Sequence, residues 1–284
     1  MTRTFSISIV FCLALSAFAG FVFVWGVNPA ATGAPGAGFT DTAAVSLWTF
    51  SSNEIANGYA LDTGTVETNH LYTYTNTSEE SSLVLVTNSP QNYERVFVDD
   101  FLNRTVNQGY TNSKIGVFCA WLKWDGDNDD INLLWDFSDN TRVTYLAADL
   151  DARPGADVVS VICQIDGVSK WRFDLAQSLM NSLTNRTLFS VHHNGVSAWA
   201  QFGTVSQSMT WITTTDQTAW FSNIYSATTP ATNAGFGRII NSSAYYYKGR
   251  LDRMAVYTNN WTAEFASNLV AYTHPTNNQE TQPQ

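Results

Sequence analysis

Charge is scarce in this chain. Asp, Glu, Lys and Arg together make 13% of its 284 residues, about half the usual globular share. Lysine is scarcer still, with Lys114, Lys123, Lys170 and Lys248 scattered, no basic cluster, and a net charge of −10. That shortage argues against nucleic acid or anionic lipid as a partner held by a charged patch. Cysteine is nearly absent as well. Cys12 lies in an apolar N-terminal run, which leaves Cys119 and Cys163, each in a strand-like segment. In an exported domain these two can pair as a disulfide; the other reading is two buried free thiols. Several catalytic signatures are missing: a Gly-x-Ser-x-Gly elbow, a Cys–His pair and a phosphate-cradling glycine loop.

What is abundant is apolar and aromatic. Hydrophobic residues make 44% and aromatics 14%, ample for a packed core. Solubility then rests on Ser, Thr, Asn and Gln, a surface common among extracellular β-proteins.

Residues 5–27 carry no charge and at about 1.5 Å per helical residue could span a bilayer about 30 Å thick. They read as a signal peptide cleaved after Ala17-Phe18-Ala19, or as an uncleaved signal-anchor helix. The length of the run favours the anchor. Arg3 precedes it and the acidic Asp41 is the first charge after it, so both readings place the C-terminal part outside, secreted or at a cell surface. Residues 28–43, rich in Pro, Gly and Ala, read as a flexible linker, and 274–284 as a disordered polar tail.

Between them, residues 44–273 form one domain. Short runs of β-branched and aromatic residues recur, among them 82–87, 142–148, 158–165 and 187–193, broken by turn signals such as Asp166-Gly167 and Asn194-Gly195. Helical pattern is limited to 174–183 and 262–272, the second opened by Thr262 with Phe265, Leu269 and Tyr272 on one face. The fold class is therefore all-β: a two-sheet antiparallel β-sandwich (jelly roll) with one or two short helices, preceded by an N-terminal hydrophobic helix.

Three stretches carry a family resemblance. They are VSLWTF with ALDTG and NHL near the start, IGVFCAWLKW with INLLWDFSDN in the middle, and KGRLDRMAVYTNNWTAEFASNL at the end. Together they resemble the laminin-G-like, concanavalin-A-like lectin–glucanase jelly-roll family over nearly the whole domain. The resemblance implies two stacked antiparallel sheets, calcium on rim loops in many members, a structural His192-His193 pair, and a structural Asp252 accepting backbone N–H bonds. Glucanase relatives carry Glu-x-Asp-x-Glu or Glu-x-Asp-x-x-Glu on one strand. No such string occurs here, so the chain is expected not to be an enzyme.

Asp125, Asp127, Asp129 and Asp130 form an acidic loop with oxygen ligands at alternate positions, as calcium loops have, yet Asp130 stands where an EF-hand needs Gly. Calcium is the one cofactor suggested; a solvated hairpin turn is the simpler reading. Sequons fall at Asn76, Asn103, Asn185, Asn241 and Asn260, about the number chance gives in a chain so rich in Asn, Ser and Thr. Adjacent histidines point to opposite faces of a strand, so His192 and His193 are poorly placed to share a metal. Most tryptophans are expected in the core. The leading functional expectation is a non-catalytic binding or adhesion module for a glycan or surface protein. The alternatives are a self-associating structural subunit of a surface layer, filament or virion, and a divergent carbohydrate-active enzyme. Residues 5–27 make the membrane a partner if they are retained.

Overall fold

The computed structural model describes residues 41–48, 59–60, 62–65, 71–72, 96–98, 110–124, 131–139, 141–231, 233–236, 247 and 249–273. Contacts divide the chain into Met1–Ala37 and Gly38–Gln284, and every described residue lies in the second. The hydrophobic run 5–27, the tail 274–284 and the strand expected at 82–87 lie outside the described residues. No described helix is long and apolar enough to cross a membrane.

The described residues form two sheets, and every described ladder is antiparallel. The smaller has six strands, in the order β1 (Ser46–Trp48), β15 (Gly249–Tyr257), β5 (Gly116–Trp124), β10 (Thr187–His193), β11 (Ala198–Phe202) and β12 (Val205–Ser206). The larger has nine. Its order is β13 (Met209–Thr214), β9 (Val168–Leu175), β8 (Val158–Ile165), β7 (Tyr145–Asp151), β6 (Ile131–Ser138), β14 (Asn233–Phe236), β4 (Val96–Val98), β3 (Leu71–Tyr72) and β2 (Tyr59–Ala60). Asp166 and Gly167, at φ 50° and 78°, close the β8–β9 hairpin as expected of that dipeptide.

The main core lies between the sheets. From β5 it takes Phe118, Ala120, Leu122 and Trp124; facing them are Trp135, Phe137, Leu146, Leu150, Val161, Trp171 and Phe173. Each such side chain contributes about 1.5–3 kcal/mol on burial. The alternate residues of β5, Val117, Cys119 and Trp121, point the other way into a second cluster with Leu47, Leu188, Ala255, Tyr257 and Leu269.

Three short helices are described, one more than the upper expectation. They are α1 (Gln177–Ser182), α2 (Phe221–Tyr225) and α3 (Ala263–Thr273). α2 escaped the sequence reading because five residues are too few to show a helical period. α3 closes the second cluster. Thr262 Oγ1 accepts the Phe265 N–H at 3.1 Å, the cap its position predicts. Leu269 is buried, with Phe265 and Val270 packed beside it. Trp121 Nε1 donates to Thr273 Oγ1 at 2.8 Å, which ties the last turn of α3 to β5.

The cysteines follow the second of their two readings, and one boundary moves. Cys119 and Cys163 are both buried free thiols. Cys119 faces the α3 side of the smaller sheet, whereas Cys163 faces the main core from the larger one, so no disulfide joins them. The boundary expected after residue 43 lies earlier in the chain. Asp41 is buried, and its carboxylate accepts the Ala43 and Ala44 N–H groups at 3.2 and 3.1 Å. It also pairs with Arg253 and accepts the Tyr257 hydroxyl, so the folded domain reaches back to Asp41.

Candidate functional site

The outer face of the nine-stranded sheet is where polar side chains converge. Along β7, Leu146, Ala148 and Leu150 enter the core, so Tyr145, Ala147, Asp149 and Asp151 face outward. The ladders set their neighbours. Asp149 lies opposite Leu133 on β6 and Ser160 on β8, and Ser160 lies opposite Asp174 on β9. The next rung runs Asp136, Ala147, Ile162, Arg172.

Arg172 is forked onto Asp174, Nε to Oδ1 at 2.8 Å and Nη2 to Oδ2 at 3.1 Å. Ser160 Oγ completes the triangle, 2.9 Å from Arg172 Nη2 and donating to Asp174 Oδ1 at 2.8 Å. This cluster is fixed by its own bonds. Arg142 enters from the turn before β7. It holds φ 53°, a left-handed conformation that costs a side-chain-bearing residue about 1–2 kcal/mol. Asp139 maintains that turn by accepting the Thr141 and Thr144 N–H groups at 2.7 and 2.6 Å, while Gln164 Nε2 donates to the Arg142 and Val143 carbonyls at 3.3 Å. The result lays the Arg142 guanidinium 4.5 Å over the Tyr145 ring, with Nε 3.5 Å from Asp136 Oδ2. Its two terminal nitrogens have no acceptor among the described residues.

Asp149 sits between the two arginines. No donor among the described residues hydrogen-bonds its carboxyl. Neighbours wall it in while part of it still reaches solvent, and that burial pushes its pKa up to about 7, with Asp151 and Asp174 adding and Arg142 and Arg172 opposing. Near neutrality Asp149 therefore exists both as donor and as acceptor. Arg142, whose guanidinium covers the Tyr145 ring, adds its terminal N–H donors to the same face.

The outer face of the smaller sheet is different. Ser190 Oγ lies 3.0 Å from His192 Nε2, a contact that resembles a nucleophile–base pair. Both residues are buried, however, with His192 stacked on Trp199 at 5.0 Å and meeting Trp261 edge-on at 4.9 Å. Burial drives the His192 pKa down to about 3, and Ser190 has no route to a substrate. His193 points into the opposite face, stacks on Trp220 and holds Nε2 2.8 Å from the Gln217 carbonyl. The pair divides between two faces, as adjacent strand residues must.

Of the residues singled out in the sequence, Asp125, Asp127, Asp129, Asp130, Asn76, Asn103 and Asn241 lie outside the described residues. No group of His, Cys, Asp and Glu suited to a metal occurs among the described ones. Asn185 is exposed in the turn after α1, whereas Asn260 is half-buried, with its Oδ1 enclosed. Asp252 falls at a register shift of β15, between the Leu251 and Arg253 pairs with β5. Arg142, Tyr145, Asp149, Ser160, Arg172 and Asp174 were not anticipated. The period-2 alternation of YLAADLD and KWRFDL was the available signal.

No protein-family model and no curated protein matches this sequence. Solved structures do. The binding domain of botulinum neurotoxin serotype D/C superposes with a TM-score of 0.50 at 7% identity, covering 81% of this chain and 52% of that one. The likeness is one of fold. The CBM40 module of the Ruminococcus gnavus IT-sialidase, bound to α2,3-sialyllactose, reaches a TM-score of 0.45 at 15% identity over 62% of this chain and 94% of its own. NanB sialidase from Streptococcus pneumoniae gives 0.47 at 14% identity, over 62% of this chain and 26% of that enzyme.

Proposed function

We propose that this chain is a non-catalytic carbohydrate-binding module of the laminin-G-like kind, held outside the cell by its N-terminal segment. The ligand lies on the outer face of the nine-stranded sheet around Asp149. The observation that carries this reading is the pairing of two unsatisfied groups on one rigid face, the Asp149 carboxyl and the Arg142 terminal nitrogens, beside the Tyr145 ring. A sugar offers vicinal hydroxyls, which a carboxyl and a guanidinium bind together. Arg142 in particular is held in a costly backbone conformation by four hydrogen bonds to its turn, as a preorganised binding residue would be.

Hydrolysis is the weaker reading. It needs two carboxyl groups free to flank one bond, and the acids on either side of Asp149 are committed, Asp151 to Arg153 and Asp174 to the Arg172 fork. A glycan array probed with the full chain, followed by calorimetry on the best ligand, tests the proposal. Asp149→Ala and Arg142→Ala are each expected to weaken binding at least tenfold, the loss of one charge-assisted hydrogen bond. An empty array, or affinities that neither variant alters, would defeat it. Release of reducing sugar from a bound glycan would replace it with an enzyme.

A further inference from the structure

Asp149 is the odd acid on its face. The carboxylates around it each hold an arginine. Asp151, on the same strand, takes the Arg153 guanidinium at 2.7 Å, and Asp174 on β9 takes the Arg172 fork at 2.8 and 3.1 Å. Asp136 on β6, one rung over, lies 3.5 Å from Arg142 Nε. β8 turns Ser160 and Ile162 to this face, neither of which titrates, and burial raises the Tyr145 pKa, so its hydroxyl keeps its proton. Three arginines are thus matched by three acids, and Asp149 is left over. Neither guanidinium beside it donates to it. Arg172 is bonded to Asp174 and Ser160, and the plane of Arg142 lies over the Tyr145 ring.

A carboxyl walled in without a donor can be satisfied in two ways. It takes up a proton, or it accepts a hydrogen bond from outside. We propose that proton and ligand exchange at Asp149, so that this face captures a neutral sugar at and above neutral pH and releases it on acidification. Such an exchange presupposes the glycan site proposed for this face and adds its regulation. Arg142 fixes the sign. It can only donate, so a vicinal diol that accepts from it turns a hydroxyl proton toward Asp149, and the carboxyl serves best when ionised. A ligand that prefers the ionised form draws the pKa down and expels the proton. The pKa of about 7 agrees, since it leaves the proton on part of the molecules at neutrality.

The test is calorimetric titration of the full chain with maltotriose, cellotriose and mannotriose, together with any neutral glycan that the array brings out. These probes carry no group that titrates near neutrality, so any proton exchanged belongs to the protein. From pH 8 to pH 6 the Kd should rise about tenfold. At pH 7 about half a proton should leave per ligand bound, read from the difference in heat between phosphate and Tris buffers. Asp149→Asn keeps a dipole in place but exchanges no proton. It should bind more weakly than the wild type at pH 8, with a flat pH profile and no proton release. A wild-type Kd that is equal at pH 6 and pH 8, or a wild-type slope in Asp149→Asn, overturns the exchange and leaves the glycan site standing. Tighter binding on acidification overturns it as well. If no probe and no array glycan binds at any pH, the exchange and the glycan site fall together.

Discussion

The two sheets present opposite kinds of outer face. That of the smaller sheet is sealed by α3 and by the chain around Asp41, over an ion pair, a serine–histidine contact and a set of aromatic rings. That of the larger sheet stays partly open: Asp136 is buried there, but Asp149, Asp151, Arg172 and Asp174 remain within reach of solvent. The same kinds of residue thus do different work. A polar group under the helix can contribute only to folding, whereas one on the open face can also meet a ligand.

The ion pairs make this comparison sharpest. Asp41→Ala leaves the Arg253 charge buried and uncompensated, which is expected to cost about 3–5 kcal/mol. For a domain of this size the melting temperature should fall by about 10 °C. On the open face, Arg153 pairs with Asp151 at 2.7 Å but its side chain is 53% exposed. Arg153→Ala should cost less than about 1 kcal/mol. Equal losses in the two variants would erase the distinction between the faces.

Acid separates the faces by sign. The His192 pKa is depressed from 6.5 to about 3 by burial, so its contribution is present above about pH 6.5 and is lost as pH falls toward 3. By pH 4 the loss should be on the order of 3 kcal/mol. His193, also pushed down by burial, adds to the same trend. Denaturant titrations at pH 7 and pH 4 should show a clearly smaller loss in His192→Phe, which keeps the stack between Trp199 and Trp261. Parallel losses would mean that His192 is not what titrates.

Asp149 runs the other way. Its pKa is raised to about 7, so its contribution is present below about pH 4 and is lost as pH rises through 7. Water at its open side moderates the effect, leaving on the order of 2 kcal/mol between pH 5 and pH 8. Asp149→Asn should remove that slope, matching the wild type near pH 4 and exceeding it at pH 8. Superimposable pH profiles would place the Asp149 carboxyl in bulk-like solvent.

The sequence announced the sandwich more clearly than the site. Strands such as Val158–Ile165 and Thr187–His193 fall where their β-branched and aromatic runs predict, and α3 begins just after Thr262. β5 shows the limit. It is apolar on both faces, so alternation could not tell which residues meet the other sheet and which meet α3. The Asp149 site draws on three neighbouring strands, β7, β8 and β9, and on one strained turn. Local pattern marks each outward residue but not which strands lie side by side, and the expected strand at 142–148 stopped one residue short of Asp149. Asp41 was missed for the same reason: its partner is 212 positions away, on β15.

That long-range clasp has a mechanical meaning. Strand β1 is only three residues long and meets β15 in three pairs, a ladder that tension on the preceding chain would peel one rung at a time. Asp41 comes before the first rung. Any force arriving from the N-terminal side therefore loads the buried carboxylate–guanidinium contact first, and the hydrogen-bonded rungs are stretched only after it yields.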